Sequence, residues 1–174
     1  MSQFELRSER LLLRPWQRAE RETFAALTRD VEVTRYLTGG VAYTEEQIDE
    51  FYDRQERQLA EHGFCMGALV DAESGRIIGI SGTQPLATGV LEIGWILERN
   101  AWGRGLASEA GRMMLRYVLE TLERPRAIAV INPDNAPSKK VAERIGMWYE
   151  GRFQGAEIGF RHPEVVLDVF VKDR

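Results

Sequence analysis

One cysteine, Cys65, stands among 174 residues, so no disulfide can close within the chain. A lone thiol fits a reducing compartment, and we expect a cytoplasmic protein. Long apolar runs are missing too. The longest lie near Leu11–Leu13 and Phe64–Val70, too short to span a bilayer. The opening Met1-Ser2-Gln3-Phe4-Glu5 has no basic segment leading into an apolar one, so no secretory signal is expected. Neither charge sign dominates: 23 Lys plus Arg against 27 Asp plus Glu leave a net charge of −4. That balance argues against a general electrostatic grip on nucleic acid or anionic lipid. The chain shows no fixed-period repeat, low-complexity tract or Pro/Ser-rich linker. It has no metal-ligand spacing, no GxxxxGK followed by Ser or Thr, and no GxGxxG after a first strand. Metal, Walker-type and dinucleotide fingerprints are thus absent.

What remains is an ordinary globular composition, 44% hydrophobic and 29% charged. The length suits one domain, residues 1–174, at ~150 residues per domain. Such a chain buries roughly 70% of its unfolded surface and needs no staple. Leu11–Leu13 reads as a strand stopped by Pro15. Arg18–Arg29 has Phe24, Ala25, Leu27 and Thr28 at helical offsets. Thr44 with Gln47 three residues on is a capping-box pattern, opening a helix that runs to about Glu61 and stops at Gly63. Phe64–Asp71, Arg76–Gln84 and Val90–Glu98 read as three strands joined by short turns, an antiparallel meander. A long helix follows from Leu106. Arg126–Ile131 is the next strand, and the helix between makes it a parallel neighbour of Val90–Glu98. Asn135–Ile145 is helical, and Met147–Phe153 and Val165–Val171 close the chain as strands. The sum is an α/β chain around one mixed sheet.

Chemistry concentrates in Trp102-Gly103-Arg104-Gly105-Leu106-Ala107, between a strand and a helix. Two glycines and an alanine let a ligand approach the backbone. The helix start adds unpaired N–H groups and the positive end of a dipole, a setting for phosphate or pyrophosphate. Arg104 could add a charge at the rim. The same residues also suit a tight turn without a ligand.

These segments resemble the GCN5-related N-acetyltransferase (GNAT) superfamily, in its ribosomal-protein-alanine acetyltransferase (RimJ/RimL-like) branch. The family's phosphate loop, Gln/Arg-x-x-Gly-x-Gly/Ala, is matched by Trp102-x-x-Gly105-x-Ala107, with Trp102 departing at the first position as in the ribosomal branch. Ser8-Glu9-Arg10-Leu11-Leu12-Leu13-Arg14-Pro15 resembles the branch's opening strand. Glu92-Ile93-Gly94-Trp95-Ile96-Leu97 resembles its fourth strand. Asn135-Ala136-Pro137-Ser138, Val141–Met147 and Glu150-Gly151 resemble its Asn-x-x-Ser helix and the strand after it. The likeness covers nearly the whole chain in order. It implies a single-domain fold with a central mixed, mostly antiparallel sheet of about seven strands, splayed between strands 4 and 5 and flanked by about four helices.

The resemblance also implies roles. The family moves acetyl from acetyl-coenzyme A (acetyl-CoA) to an amine, and with no metal-ligand spacing in the chain no metal is expected beside it. The pyrophosphate would lie on the amides of Gly103, Arg104, Gly105, Leu106 and Ala107, beside Trp102. The pantetheine arm would lie along the backbone of Trp95, Ile96 and Leu97, where an N–H would also polarise the thioester carbonyl. Asn135 would contact the pantetheine, a role compatible with capping the next helix. Ser138 would protonate the departing thiolate; otherwise it is a polar first-turn residue. An amine of pKa ~10 arrives protonated and needs a base. Glu92, among apolar neighbours in the fourth strand, suits that task if burial raises its pKa; the alternative is a solvent-facing carboxylate. Glu150 is a weaker base candidate. His62, His162 and Cys65 carry no partner pattern, and Trp16, Trp95, Trp102 and Trp148 read as core or pocket wall.

The acceptor side would be framed by Leu37–Thr44 and Gln154–Pro163, with Tyr36, Phe51, Tyr52, Phe153 and Phe160 as walls. We expect an N-acetyltransferase acting on a protein N-terminus or a small-molecule amine by direct transfer. The other reading is a non-catalytic acetyl-CoA-binding sensor of the same fold. Expected partners are acetyl-CoA and an amine acceptor; a homodimer, common among relatives, is open, since the sequence shows no interface.

Overall fold

The structure is a computed structural model and describes residues 4–174, so Met1–Gln3 of the opening segment lie outside the described residues. One sheet of eight strands runs through it: β1 (Leu6–Arg7), β2 (Leu11–Arg14), β3 (Met66–Asp71), β4 (Ile77–Pro85), β5 (Leu91–Leu97), β6 (Arg126–Ile131), β7 (Trp148–Gln154) and β8 (Val166–Asp173). Their order across the sheet is β1-β2-β3-β4-β5-β6-β8-β7. Every pair is antiparallel except β5 with β6. The helices are α1 (Arg21–Arg29), α2 (Val31–Thr34), α3 (Glu45–His62), α4 (Leu106–Arg116), α5 (Ala136–Arg144) and α6 (Gly155–Ile158). Among these described residues no helix is long and apolar enough to cross a membrane.

Local chemistry accounts for most of these boundaries. Thr44 accepts from Gln47 N while the Gln47 side chain accepts from Thr44 N, so both arms of the capping box open α3. Gly63 ends that helix in the left-handed region, φ 77°, where its N–H returns to Leu59 O. Leu11 and Leu13 are fully buried, whereas Leu12 and Arg14 are not, the two-residue period of a strand. The sheet has one strand more than the seven expected, and six helices rather than four. The additions, β1, α2 and α6, span only two to four residues each. That is too short for a hydrophobic period to declare itself. The fourth and fifth strands of the sequence reading are therefore β5 and β6.

The feature that positions the site is where β5 and β6 part. β5 pairs with β4 from Leu91 to Leu97, and β6 pairs with β8 from Arg126 to Ile131. Across the parallel seam only Leu91↔Ala127 and Glu92↔Ile128 are in register. Beyond Glu92 the two strands diverge. The Thr83 and Ser81 hydroxyls donate to the carbonyls of Glu92 and Gly94 at 2.8 and 2.7 Å, pinning β5 to β4 where β6 lets go. One sheet face carries Leu91, Ile93 and Leu97 against α4 and α5. The other face packs Met66, Ala68, Ile80 and Ile96 against Phe24, Ile48, Phe51 and Tyr52 of α1 and α3. Further along that second face, Ile128, Val169 and Val171 meet Phe153, Ile158 and Phe160.

Candidate active site

Strand alternation puts Glu92, Gly94 and Ile96 on the α1–α3 face. Glu92 thus sits at the root of the gap, between the two apolar clusters of that face. It is 9% exposed. Gln84, its register partner on β4, donates from Nε2 to Oε2 at 3.0 Å. Burial pushes the carboxyl up to about 7, against smaller pulls downward from the Gln84 hydrogen bond and the Arg161 charge. A carboxyl that exchanges its proton near neutrality can accept one from an incoming ammonium. This is the buried alternative of the sequence reading, not a solvated strand carboxylate.

At the far end of β5, Trp102 to Gly105 form an exposed turn into α4. Gly103 and Gly105 both take left-handed backbone, φ 71° and 75°, which only glycine adopts without strain. A Cβ on Gly103 would meet nothing within 4 Å, and one on Gly105 only the Arg10 guanidinium at 3.7 Å. Open space therefore fronts the turn. Among the described residues, the amides from Gly103 to Ser108 donate to no protein acceptor. The Leu106 side chain is buried in the core, so that residue offers only its amide; Ala107 is half-buried. Arg104 is exposed and lies 4.0 Å from Asp71. The Trp102 indole does not form core. It is 49% exposed and donates from Nε1 to Leu97 O at 2.8 Å, tying the turn to the end of β5. That bond occupies one of the carbonyls assigned to the pantetheine. Ile96 is half-buried against the α1–α3 cluster. Trp95 lies on the opposite face, beside Gly111 of α4 and Ile145.

Because β5 and β6 are parallel, the start of α5 lies at the same end of the seam as the start of α4. The Asn135 side chain accepts from Ser138 N at 3.2 Å, so the capping role is real and leaves the Asn135 amide NH₂ free. Ser138 is half-buried in the first turn. The start of α5 is held by a buried carboxylate. Asp168 on β8 binds Lys139 Nζ at 2.5 Å and Arg152 Nε at 2.7 Å. The Arg152 hydrogen bond, outweighing burial and aided by Lys139, draws Asp168 down to about 2.

Glu150 lies away from this end of the seam. It pairs with Arg126 at 2.7 Å, at the opening of β6. Trp148, read as core or wall, is 45% exposed on the edge strand β7. Four side chains near the site carried no local signal. Glu109, in the first turn of α4, accepts from Ser8 Oγ, Arg10 N and Arg10 Nε at 2.7–2.8 Å, while Arg10 Nη1 reaches Arg104 O at 3.0 Å. This clamp from the β1–β2 turn fixes the glycine turn. Gln84 and the arginines Arg54 and Arg161 were likewise hidden, because they reach Glu92 or its surroundings only through the folded topology.

A sheet parted at one parallel seam, with an amide-lined turn at its open end and a buried carboxyl at its root, is the arrangement that the resemblance to acetyltransferases implies. The model of the acetyltransferase (GNAT) domain family matches residues 10–148, and the chain belongs to that family. It is 31% identical to the uncharacterized N-acetyltransferase YnaD of Bacillus subtilis over 147 residues, 84% of each chain. An acetyltransferase structure from Agrobacterium tumefaciens superposes with a TM-score of 0.82 at 27% identity, covering 100% of this chain and 96% of that one. The ribosomal L7/L12 acetyltransferase RimL, solved with coenzyme A, shares the fold with a TM-score of 0.78 at 15% identity over 97% of each chain.

Proposed function

We propose that the chain transfers acetyl from acetyl-CoA directly to a primary amine, with Glu92 as the base. The observation that carries this reading is the parted seam with Glu92 at its root and free amides at its open end. The residues present suit the carrier. Gly103 to Ala107 would hold its pyrophosphate, with Arg10 and Arg104 at the rim. The free backbone edge of β5 along Trp95 and Ile96, with the Asn135 amide, would hold its pantetheine. When bound, acetyl-CoA supplies an activated acetyl thioester. The chain's own part is to orient and to move protons. Glu92 takes the proton of the ammonium, directly or through water, because its affinity for protons lies near neutrality. Ser138, half-buried in the first turn of α5, would return a proton to sulfur. The apolar clusters on either side of Glu92 exclude water from the root of the seam.

Family membership and the name of YnaD support acetyl transfer in general, and coenzyme A in RimL supports the carrier. Thiol release from acetyl-CoA with a panel of peptides, amino acids and polyamines tests the reading, with mass-shift detection of the product. Tight carrier binding without turnover on the whole panel would instead identify a sensor.

A further inference from the structure

The region facing Glu92 carries positive charge that the protein does not neutralise. Arg54, on α3, is half-buried with its guanidinium 5.5 Å from the Phe51 ring centroid. Its Nε is buried without a hydrogen-bond partner. Among the described residues neither Arg54 nor Arg161 forms a salt bridge or a side-chain hydrogen bond. Burial and the Arg161 charge lower the proton affinity of Arg54 to about 10, against weaker support from Tyr43 and Glu50, while Arg57 adds to the repulsion. The same Arg161 charge acts on Glu92 and on Tyr43. Two guanidiniums, a phenol and the base thus share one electrostatic neighbourhood.

Arg161 is not on a loose tail. Its loop is closed by Gly155 N to Val165 O at 2.8 Å, Ala156 N to Pro163 O at 3.0 Å and Phe160 N to Gly155 O at 2.8 Å. The loop docks on the β4–β5 turn through Ala87 N to Gly159 O at 3.0 Å, so close that a Cβ on Gly159 would lie 2.9 Å from Thr88 N. The broad groove of about 1000 Å³ beneath α1 and α2 makes a contrast. There Arg14, Arg76 and Arg99 each hold a carboxylate, Glu20, Glu98 and Asp30. Arg161 is exposed to water, whereas the half-buried Arg54, with its partnerless Nε, is the charge that an anion between the two would satisfy. Guanidinium groups match carboxylates in planar, charge-assisted geometry.

We propose, resting on the acetyltransferase reading above, that Arg54 and Arg161 bind a carboxylate carried by the acceptor itself. The acceptor is then an amine with a nearby carboxylate, and not a polyamine. The carboxylate has two sources, the α-carboxylate of a free amino acid or an acidic side chain close to a peptide N-terminus. The test compares amino acids with their amides, and peptides bearing Asp or Glu at the second position with their Asn or Gln counterparts. One of these pairs should favour the carboxylate by about tenfold or more in kcat/KM, and the pair that does so identifies the source. Arg161→Gln and Arg54→Gln should bring that preference to within about threefold, mainly through KM, with Arg161→Lys restoring part of it. Calorimetry on protein saturated with coenzyme A should show the same discrimination. It reads the site even if no acceptor turns over, so failure of the enzyme reading and failure of the anion site remain distinct. Equal use and equal binding of carboxylate and amide partners, or a preference unmoved in both variants, would overturn the proposal.

Discussion

Glu92 meets two opposed demands. Folding favours its neutral form, because burial at the root of the seam outweighs the Gln84 hydrogen bond and the weaker pull of the Arg161 charge. Base catalysis needs the ionised form. Its proton affinity, raised from 4.5 to about 7, reconciles them at physiological pH. Since the folded state holds the proton more tightly than the unfolded one, stability is greatest below pH 4.5 for this group. It falls as pH rises through about 7, by on the order of 3 kcal/mol at most. Activity should move the other way, rising with pH through the same region. Glu92→Gln should therefore lower kcat about 100-fold or more and remove that rising limb. It should also raise the melting temperature at pH 8. A pH–rate profile and thermal melts of both proteins check the pair of effects, and wild-type turnover in the variant would remove Glu92 as base. Burial acts in the same direction on Cys65. Its thiol is pushed up to about 12 by burial. It should resist iodoacetamide at pH 8 in the native protein and react fully once denatured, as mass spectrometry would show.

The helices that frame the seam are held at their starts by contacts from distant strands. Glu109 of α4 is clamped by Ser8 and Arg10, and Lys139 of α5 by Asp168. Asp168 lies almost fully buried against two cations, so removing its charge leaves the largely covered Lys139 without its carboxylate. Asp168→Asn should destabilise the fold by about 3 kcal/mol at pH 7 in urea denaturation. The sign of the pH effect follows from the depressed affinity. Its contribution is complete above the ordinary aspartate value and is lost as pH falls through about 2. The wild-type protein should therefore lose its advantage over the variant between pH 4 and 2. These clamps explain what the sequence could and could not show. Elements declared by local rules were legible: the Thr44–Gln47 box, the Gly63 stop, the β3–β4–β5 meander and the glycine turn. Glu92 was legible as a carboxylate among apolar strand neighbours. The insertion of β8 between β6 and β7, the pairing of Glu150 with Arg126 and the approach of Arg161 to Glu92 depend on sequence separations that no local pattern records.

The molecule as a whole is a sheet divided at one seam, with each half braced by its own neighbours, β5 by β4 and β6 by β8. A carrier lying in the seam would complete the polar edges that the two strands leave open, and would bind only the folded state. The chain carries a net charge of −4, so a polyanionic carrier gains nothing from the overall field. On the proposed reading its attraction is local, in the amides of the turn, the α4 dipole and the Arg10 clamp. Binding restricted to the folded state raises stability by mass action, about 2.7 kcal/mol at a hundred times Kd. For a chain of this size that corresponds to a rise in Tm of roughly 5–10 °C. Gly105→Glu places a side chain and a negative charge in the open space before the turn. It also forces a non-glycine residue to φ 75°, costing about 1 kcal/mol. Its own Tm should fall by only a few degrees, while the shift produced by acetyl-CoA should vanish. Differential scanning fluorimetry across a carrier titration separates the two effects. An undiminished shift in this variant would show that the turn does not hold the pyrophosphate.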